Sequence, residues 1–272
     1  MTVTLMAGFD AELRKVAAYV TEMRSKGRPT REFACPHSVT KLQEGLPVRV
    51  GAGANRGIIF RSETFAELGN PVAGSCAFVI WTTTPSLVRD GIVSLVGPDI
   101  QEAAGTGLPF GQVILIGGKN LGAEDHQSLH QGQYIADQLE GYMVKSSSRN
   151  MWSRVSKEVG ARGFSFETLG RALMAIFKST LPKVEAMEVV FVTSSKEDVQ
   201  VLDRIGQQVV EIGSELVKEH WKSKGYDLDC DLDCGSCHDK EVCDDIRDVV
   251  STWHKKKSKK AAVKPTPSLG GH

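Results

Sequence analysis

Residues Arg56–Trp81 read RGIIFRSETFAELGNPVAGSCAFVIW, and this stretch decides the fold class. Two short apolar runs, Gly57–Phe60 and Cys76–Trp81, are separated by the turn-forming Gly69-Asn70-Pro71. Brief β-branched or aromatic runs bounded by Gly, Pro and Asn mark strands. The same pattern continues outward. Ile92–Val96 ends at Gly97-Pro98-Asp99, and Val113–Ile116 follows a loop marked by Gly105, Gly107 and Pro109. Met187–Thr193 is a further β-branched strand.

Helical periodicity surrounds these runs. Leu13, Val16, Ala17, Val20 and Met23 recur on one face of a helix over 8–26, which Gly27 and Pro29 stop. Residues 30–47 read as irregular. Residues 124–181 read as helices. One face carries Tyr134, Ile135, Leu139, Tyr142 and Met143; a second carries Met151, Trp152, Val155 and Val159. After Gly163, Ser165 with Glu167 and Thr168 starts a helix through Leu169, Leu173, Ile176 and Phe177 that ends at Pro182. A long helix over 195–222 buries Val199, Leu202, Ile205, Val209, Ile212 and Leu216. The expected fold is α/β or α+β: a mixed sheet flanked by helices, with a C-terminal cysteine-rich metal-binding loop. Four regions are expected. They are an N-terminal helical segment at 1–47, an α/β core at 48–225, a four-cysteine loop and helix at 226–254, and a disordered tail at 255–272. The Lys-rich and then Pro/Gly/Ser-rich composition from Lys255 to His272 cannot bury a core.

Composition narrows the function. The 272 residues hold 33 Lys+Arg against 33 Asp+Glu, 41 % apolar and 7 % aromatic residues. Zero formal charge argues against a protein that holds nucleic acid through bulk electrostatics. Apolar runs such as Gln112–Gly118 are far shorter than the roughly 20 residues of a membrane helix. Met1–Asp10 has no basic segment followed by a long apolar stretch, so a cytoplasmic protein with no membrane partner is the expectation. No phosphate-cradling or nucleophile-elbow motif is visible. Gly51-Ala52-Gly53-Ala54-Asn55-Arg56-Gly57 precedes a strand rather than a helix, so it reads as a turn.

Cysteine usage is uneven. Cys35 and Cys76 stand alone and read as buried thiols. Cys230, Cys234, Cys237 and Cys243 form C-x3-C-x2-C-x5-C. Four thiolates this close in a reducing compartment point to a metal. Short mixed spacing in one irregular loop matches a [4Fe-4S] cluster better than zinc, which usually takes two CxxC knuckles; zinc stays open as the alternative. His238 is a substitute ligand by position, or a solvated loop residue. Gly235 and Ser236 permit the tight turn between Cys234 and Cys237. The acids Asp227, Asp229, Asp231, Asp233, Asp239, Glu241, Asp244 and Asp245 would disfavour a reduced cluster and lower its potential.

Three stretches together resemble a known family. They are Arg56–Trp81, Leu87–Glu102 (LVRDGIVSLVGPDIQE) and Arg149–Phe177 (RNMWSRVSKEVGARGFSFETLGRALMAIF). They look like the CO-methylating acetyl-CoA synthase subunit of the CO dehydrogenase/acetyl-CoA synthase complex, also called the β subunit of acetyl-CoA decarbonylase/synthase. The likeness runs from about residue 50 to about residue 200 and is densest at Glu67-Leu68-Gly69 and Val96-Gly97-Pro98-Asp99-Ile100. That family joins a methyl group, CO and coenzyme A at a nickel–iron–sulfur centre carried by a larger domain after this region, with more widely spaced cysteines. The compact loop here, with no further cysteines for a second centre, implies a truncated or divergent relative. The resemblance implies coenzyme A as a ligand through Trp152, Arg154 and Lys157. An indole face stacks on adenine, and an Arg fork grips phosphate. It also implies CO dehydrogenase or a corrinoid iron–sulfur protein as partner. Whether the chain is an accessory subunit, a minimal acetyl-CoA synthase-type acyltransferase or a zinc-stabilised scaffold is left open by the residues.

Overall fold

The computed structural model describes residues 9–224 apart from 52, 55–56, 104, 135–137, 148 and the side chain of residue 147. All fall in the first of two units, Met1–Cys230. The strands are β1 (Thr30–Ala34), β2 (Thr64–Leu68), β3 (Ser75–Thr82), β4 (Ile92–Val96), β5 (Gly107–Leu108), β6 (Phe110–Gly117), β7 (Tyr142–Ser147), β8 (Asn150–Ser156) and β9 (Ala186–Val192). The helices are α1 (Asp10–Ser25), α2 (Val39–Gln43), α3 (His126–Gly132), α4 (Lys157–Ala161), α5 (Phe166–Thr180) and α6 (Lys196–Ser223).

Two mixed sheets form. The larger runs β1-β4-β9-β6-β3 and the smaller β5-β2-β8-β7. In the larger sheet β3 pairs with β6 and β4 with β9 in parallel, whereas β6 and β9 run antiparallel. Helices α1 and α6 pack against β3, and α5 packs against β4 and β9. Every residue of β6 and β9 is buried. This explains why both read as unbroken apolar runs rather than alternating ones. The rings of Phe110, Phe166 and Phe191 stack at 4.8–6.1 Å between centroids and tie β6, β9 and α5 together.

The helix starts obey their capping residues. Ser165 Oγ accepts from Thr168 N at α5, and Ser195 Oγ accepts from Asp198 N at α6. The α6 stripe differs from the expected one in one respect. Gly206 lies against the Phe78 ring and Gly213 against the His126 ring, each too close for a Cβ. These glycines take the innermost line of the helix, and Ile212 is turned outward at 36 % exposure.

Three expectations are corrected. Residues 30–47 are not wholly irregular: they hold β1, which pairs antiparallel with β4, and α2, capped by Ser38. Their polar sequence suits an edge strand. Gly57–Phe60 is irregular and joins no ladder; the neighbouring strand is instead β2, from Thr64. The region around Tyr142–Val155 is a hairpin, not two helices, with Tyr142 opposite Val155 and Ser147 opposite Asn150. Met151, Ser153 and Val155 alternate inward, which is the strand period.

Candidate functional site

The alternation along β8 sends Trp152 and Arg154 to the face opposite Met151 and Val155. Cross-strand register then supplies their neighbours. Glu67 of β2 and Met143 of β7 pair with Arg154, and Lys145 of β7 pairs with Trp152. The Arg154 guanidinium lies 4.6 Å from the Trp152 ring centroid, and the Lys145 ammonium lies 5.6 Å from it. Both are cation–π distances.

Arg154 is largely shielded, with its side chain 16 % exposed. Its Nε donates to Glu67 Oε1 at 3.0 Å and its Nη1 donates to the Ile59 carbonyl at 3.1 Å. Burial pushes the Glu67 carboxyl up. Hydrogen bonds from Asn70 and Arg154 outweigh it and hold the group below the usual carboxylate range. The Trp152 N–H also favours that charge, although its Nε1 falls outside hydrogen-bonding geometry. Asn70 Nδ2 donates to Glu67 Oε2 at 3.1 Å, while its Oδ1 accepts from the amides of Val72 and Ala73. The Glu67–Asn70 stretch is thus one polar node.

Lys157 is exposed and opens α4 immediately after its cap, Ser156, whose Oγ accepts from Val159 N. It lines a cleft of about 410 Å³ between Gly57–Ile59 and Glu63 on one side and Glu140–Gly141 and Ser156–Glu158 on the other. Ile58 and Phe60, 68 % and 62 % exposed, project from the first wall. Glu140, which also lines the cleft, accepts from Arg49 N at 2.9 Å and pairs with Arg162 at 3.1 Å. The Arg49 amide bond is the largest influence holding its carboxyl low, against burial and with help from Arg162. The three residues expected at a coenzyme A site therefore occupy one sheet face and its border. Trp152 and Arg154 form a stacked pair, and Lys157 stands on the adjoining cleft. Lys145, Glu67, Asn70 and Ile59 escaped the sequence reading, because their nearness to Arg154 comes from cross-strand pairing and tertiary contact.

Cys35 and Cys76 are buried, as expected. Burial pushes both thiols up, Cys35 to about 11, so neither is a thiolate at neutral pH. Cys230, Cys234, Cys237, Cys243 and His238 lie outside the described residues, as does the expected tail. Among the described residues no three His, Cys, Asp or Glu side chains gather as a metal site. Nor is any helix among them long and apolar enough to cross a membrane.

The sequence profile of the "CO dehydrogenase/acetyl-CoA synthase complex beta subunit" family matches residues 46–199, which contain β2 to β9 and the node just described. The "Acetyl-CoA decarbonylase/synthase complex subunit beta 1" of Methanosarcina thermophila is 30 % identical over 210 residues, 76 % of this chain and 38 % of the relative. The corresponding "subunit beta" of Archaeoglobus fulgidus is 24 % identical over 66 % of this chain and 33 % of its own length. The "Carbon monoxide dehydrogenase/acetyl-CoA synthase subunit alpha" of Moorella thermoacetica is 27 % identical over 66 % of this chain and 24 % of its own length. The chain thus spans well under half the length of these relatives. With the match covering more than half of its residues, the chain belongs to the CO dehydrogenase/acetyl-CoA synthase complex beta subunit family.

Proposed function

We propose that this chain is an iron–sulfur accessory or partial subunit of CO and one-carbon metabolism. It acts beside CO dehydrogenase or a corrinoid iron–sulfur protein and holds coenzyme A at the Trp152 face. The observation that carries the reading is the family match over the α/β core, which contains a tryptophan flanked by two cations. Coenzyme A offers an aromatic base and several phosphates. The indole face suits the base, and the ammonium groups of Lys145 and Lys157 suit the phosphates. Neither lysine is in an ion pair among the described residues. When bound, coenzyme A supplies the thiol that accepts an acyl group. The protein's part is to orient that ligand and screen its charge. The four cysteines near the carboxyl end are the ligand set for the proposed [4Fe-4S] cluster, with zinc as the alternative occupant.

Anaerobic metal and sulfide analysis tests the cluster. About four iron and four sulfide per chain are expected. Cys234→Ser and Cys237→Ser should each lose most of both. A colourless protein with no iron after anaerobic reconstitution defeats the cluster. One zinc without sulfide moves the reading to a zinc-stabilised scaffold, and nickel with exchange between CO and acetyl-CoA moves it to a minimal synthase. Calorimetry with coenzyme A tests the ligand, and Trp152→Ala should weaken binding by about tenfold, the scale of one lost stacking contact.

A further inference from the structure

We infer that Arg154 is a positioning residue that pins Gly57–Ile59 as a wall of the cleft, leaving ligand contact there to Lys157. The inference deepens the coenzyme A reading and rests on it for the identity of the ligand. Two arrangements let a guanidinium grip a phosphate with two parallel bonds: side-on through Nε and Nη2, or end-on through Nη1 and Nη2. Glu67 takes the single Nε hydrogen and so closes the side-on arrangement, and the Ile59 carbonyl takes one of the two Nη1 hydrogens and crowds the end-on one. One flat face is covered by Trp152. An arginine so committed shapes its surroundings rather than receiving an anion.

What it shapes is specific. Gly57–Phe60 takes part in no strand ladder, so its backbone needs other partners. Ile59 provides the anchorage. Its N–H points to Met143 Sδ at 3.5 Å, its carbonyl accepts from Arg154, and its side chain is buried. Ile58 and Phe60 on either side are exposed. Phe60 is tied into its own turn, its N–H donating to Glu63 Oε2 and its carbonyl accepting from Thr64 Oγ1, so Ile59 is the residue that fixes the segment to β7 and β8. The tether runs back through Arg154 to Glu67 and on to Asn70 in the Gly69-Asn70-Pro71 turn. Lys157, on the opposite wall, has its ammonium available to whatever enters.

The substitution Glu67→Gln separates the two roles by the sign of its effect. If Arg154 gripped phosphate, removing the competing carboxylate would free the fork and tighten coenzyme A binding. A positioning role gives the reverse, because the tether loosens; about 3- to 10-fold weaker binding by calorimetry is expected. Hydrogen exchange reads the wall directly. Arg154→Met should speed exchange at Ile59 by about tenfold or more while β6 and β9 stay protected, and Arg154→Lys should restore part of the protection. Unchanged exchange at the wall overturns the inference, as does unchanged or tighter binding in Glu67→Gln. If the wild-type chain does not bind coenzyme A, the ligand reading fails and exchange at the wall decides the positioning role alone. If Arg154→Met does not fold, the same exchange measurement on Glu67→Gln decides it.

Discussion

Gly69→Ala is expected to destabilise the folded chain by about 3 kcal/mol or more, a large part of the roughly 5–15 kcal/mol that holds a domain together. Two causes add. Gly69 has φ +65, in the left-handed region; an L-residue there costs roughly 1–2 kcal/mol. A Cβ at this position would also overlap the Met151 carbonyl oxygen and lie 2.7 Å from Ser75 Cβ and 3.1 Å from Phe110 Cβ. Relieving that crowding requires β8 or β3 to move, and forced core shifts cost about 1–3 kcal/mol. Gly163 is the matched control: its φ is +88, but nothing lies within 4 Å of the added carbon. Gly163→Ala should therefore show only the dihedral cost, about 1–2 kcal/mol. Urea unfolding of both variants measures the difference. Equal losses would mean that the crowding between β2, β3 and β8 does not exist in solution. Because Gly69 follows the Glu67 node by two residues, Gly69→Ala should also weaken whatever binds at Trp152.

That glycine shows which parts of the molecule were legible in the sequence. The turn at Gly69-Asn70-Pro71 is read from residue chemistry alone, as are the strands β3, β4, β6 and β9 and the helices α1, α5 and α6. Their signals are local: β-branched runs that end at Gly or Pro, and serine caps that hydrogen-bond within their own first turn. The hairpin β7–β8 reads as helix in the sequence because its apolar residues satisfy two periods at once. Trp152, Val155 and Val159 fit a helix spacing, whereas Met151, Ser153 and Val155 fit a strand, and pairing with β2 and β7 decides between them. Gly57–Phe60 misled in the opposite direction. Its isoleucines and phenylalanine resemble a strand, yet Ile58 and Phe60 face outward and only Ile59 of the three is buried.

The candidate site divides in the same way. Trp152, Arg154 and Lys157 were legible through likeness to a family. With Trp152 placed on a helix, Arg154 has no partner across a ladder and reads as a free fork for phosphate. On a strand, Arg154 instead meets Glu67 across the ladder, 87 positions away in sequence, and is consumed by it. No local spacing encodes that pair. The same holds for Lys145, which reaches Trp152 only because β7 and β8 are in register.

Acidification is expected to destabilise the chain from about pH 6.5 downward, beginning before its carboxylates titrate, because two imidazoles are held neutral. His126 and His130 stand one turn apart on α3 with ring centroids 4.9 Å apart. His126 is stacked on Phe9 at 5.7 Å and abuts Gly213 of α6. Its Nδ1 accepts from Trp81 Nε1 at 3.2 Å, and an imidazolium has no lone pair to accept with. Burial, reinforced by the His130 charge, lowers His126 from 6.5 to about 3, and burial lowers His130 to about 4. Both folded-state values lie below the unfolded one. The unfolded chain therefore takes up protons that the folded chain refuses. The stabilisation is complete above about pH 6.5 and is lost as pH falls toward about 4 and then about 3. Each imidazole costs about 1.4 kcal/mol per pH unit in that window, so the pair removes on the order of 4–5 kcal/mol by about pH 4.5. Urea unfolding at pH 7.0, 5.5 and 4.5 should give a slope near two protons, with the Trp81 indole N–H resonance lost as the cluster opens. The double variant His126→Gln, His130→Leu keeps an acceptor for Trp81 and removes both titrating rings. Its stability should be nearly flat over the same range, and a slope as steep as that of the parent chain would show that the acid sensitivity comes from elsewhere.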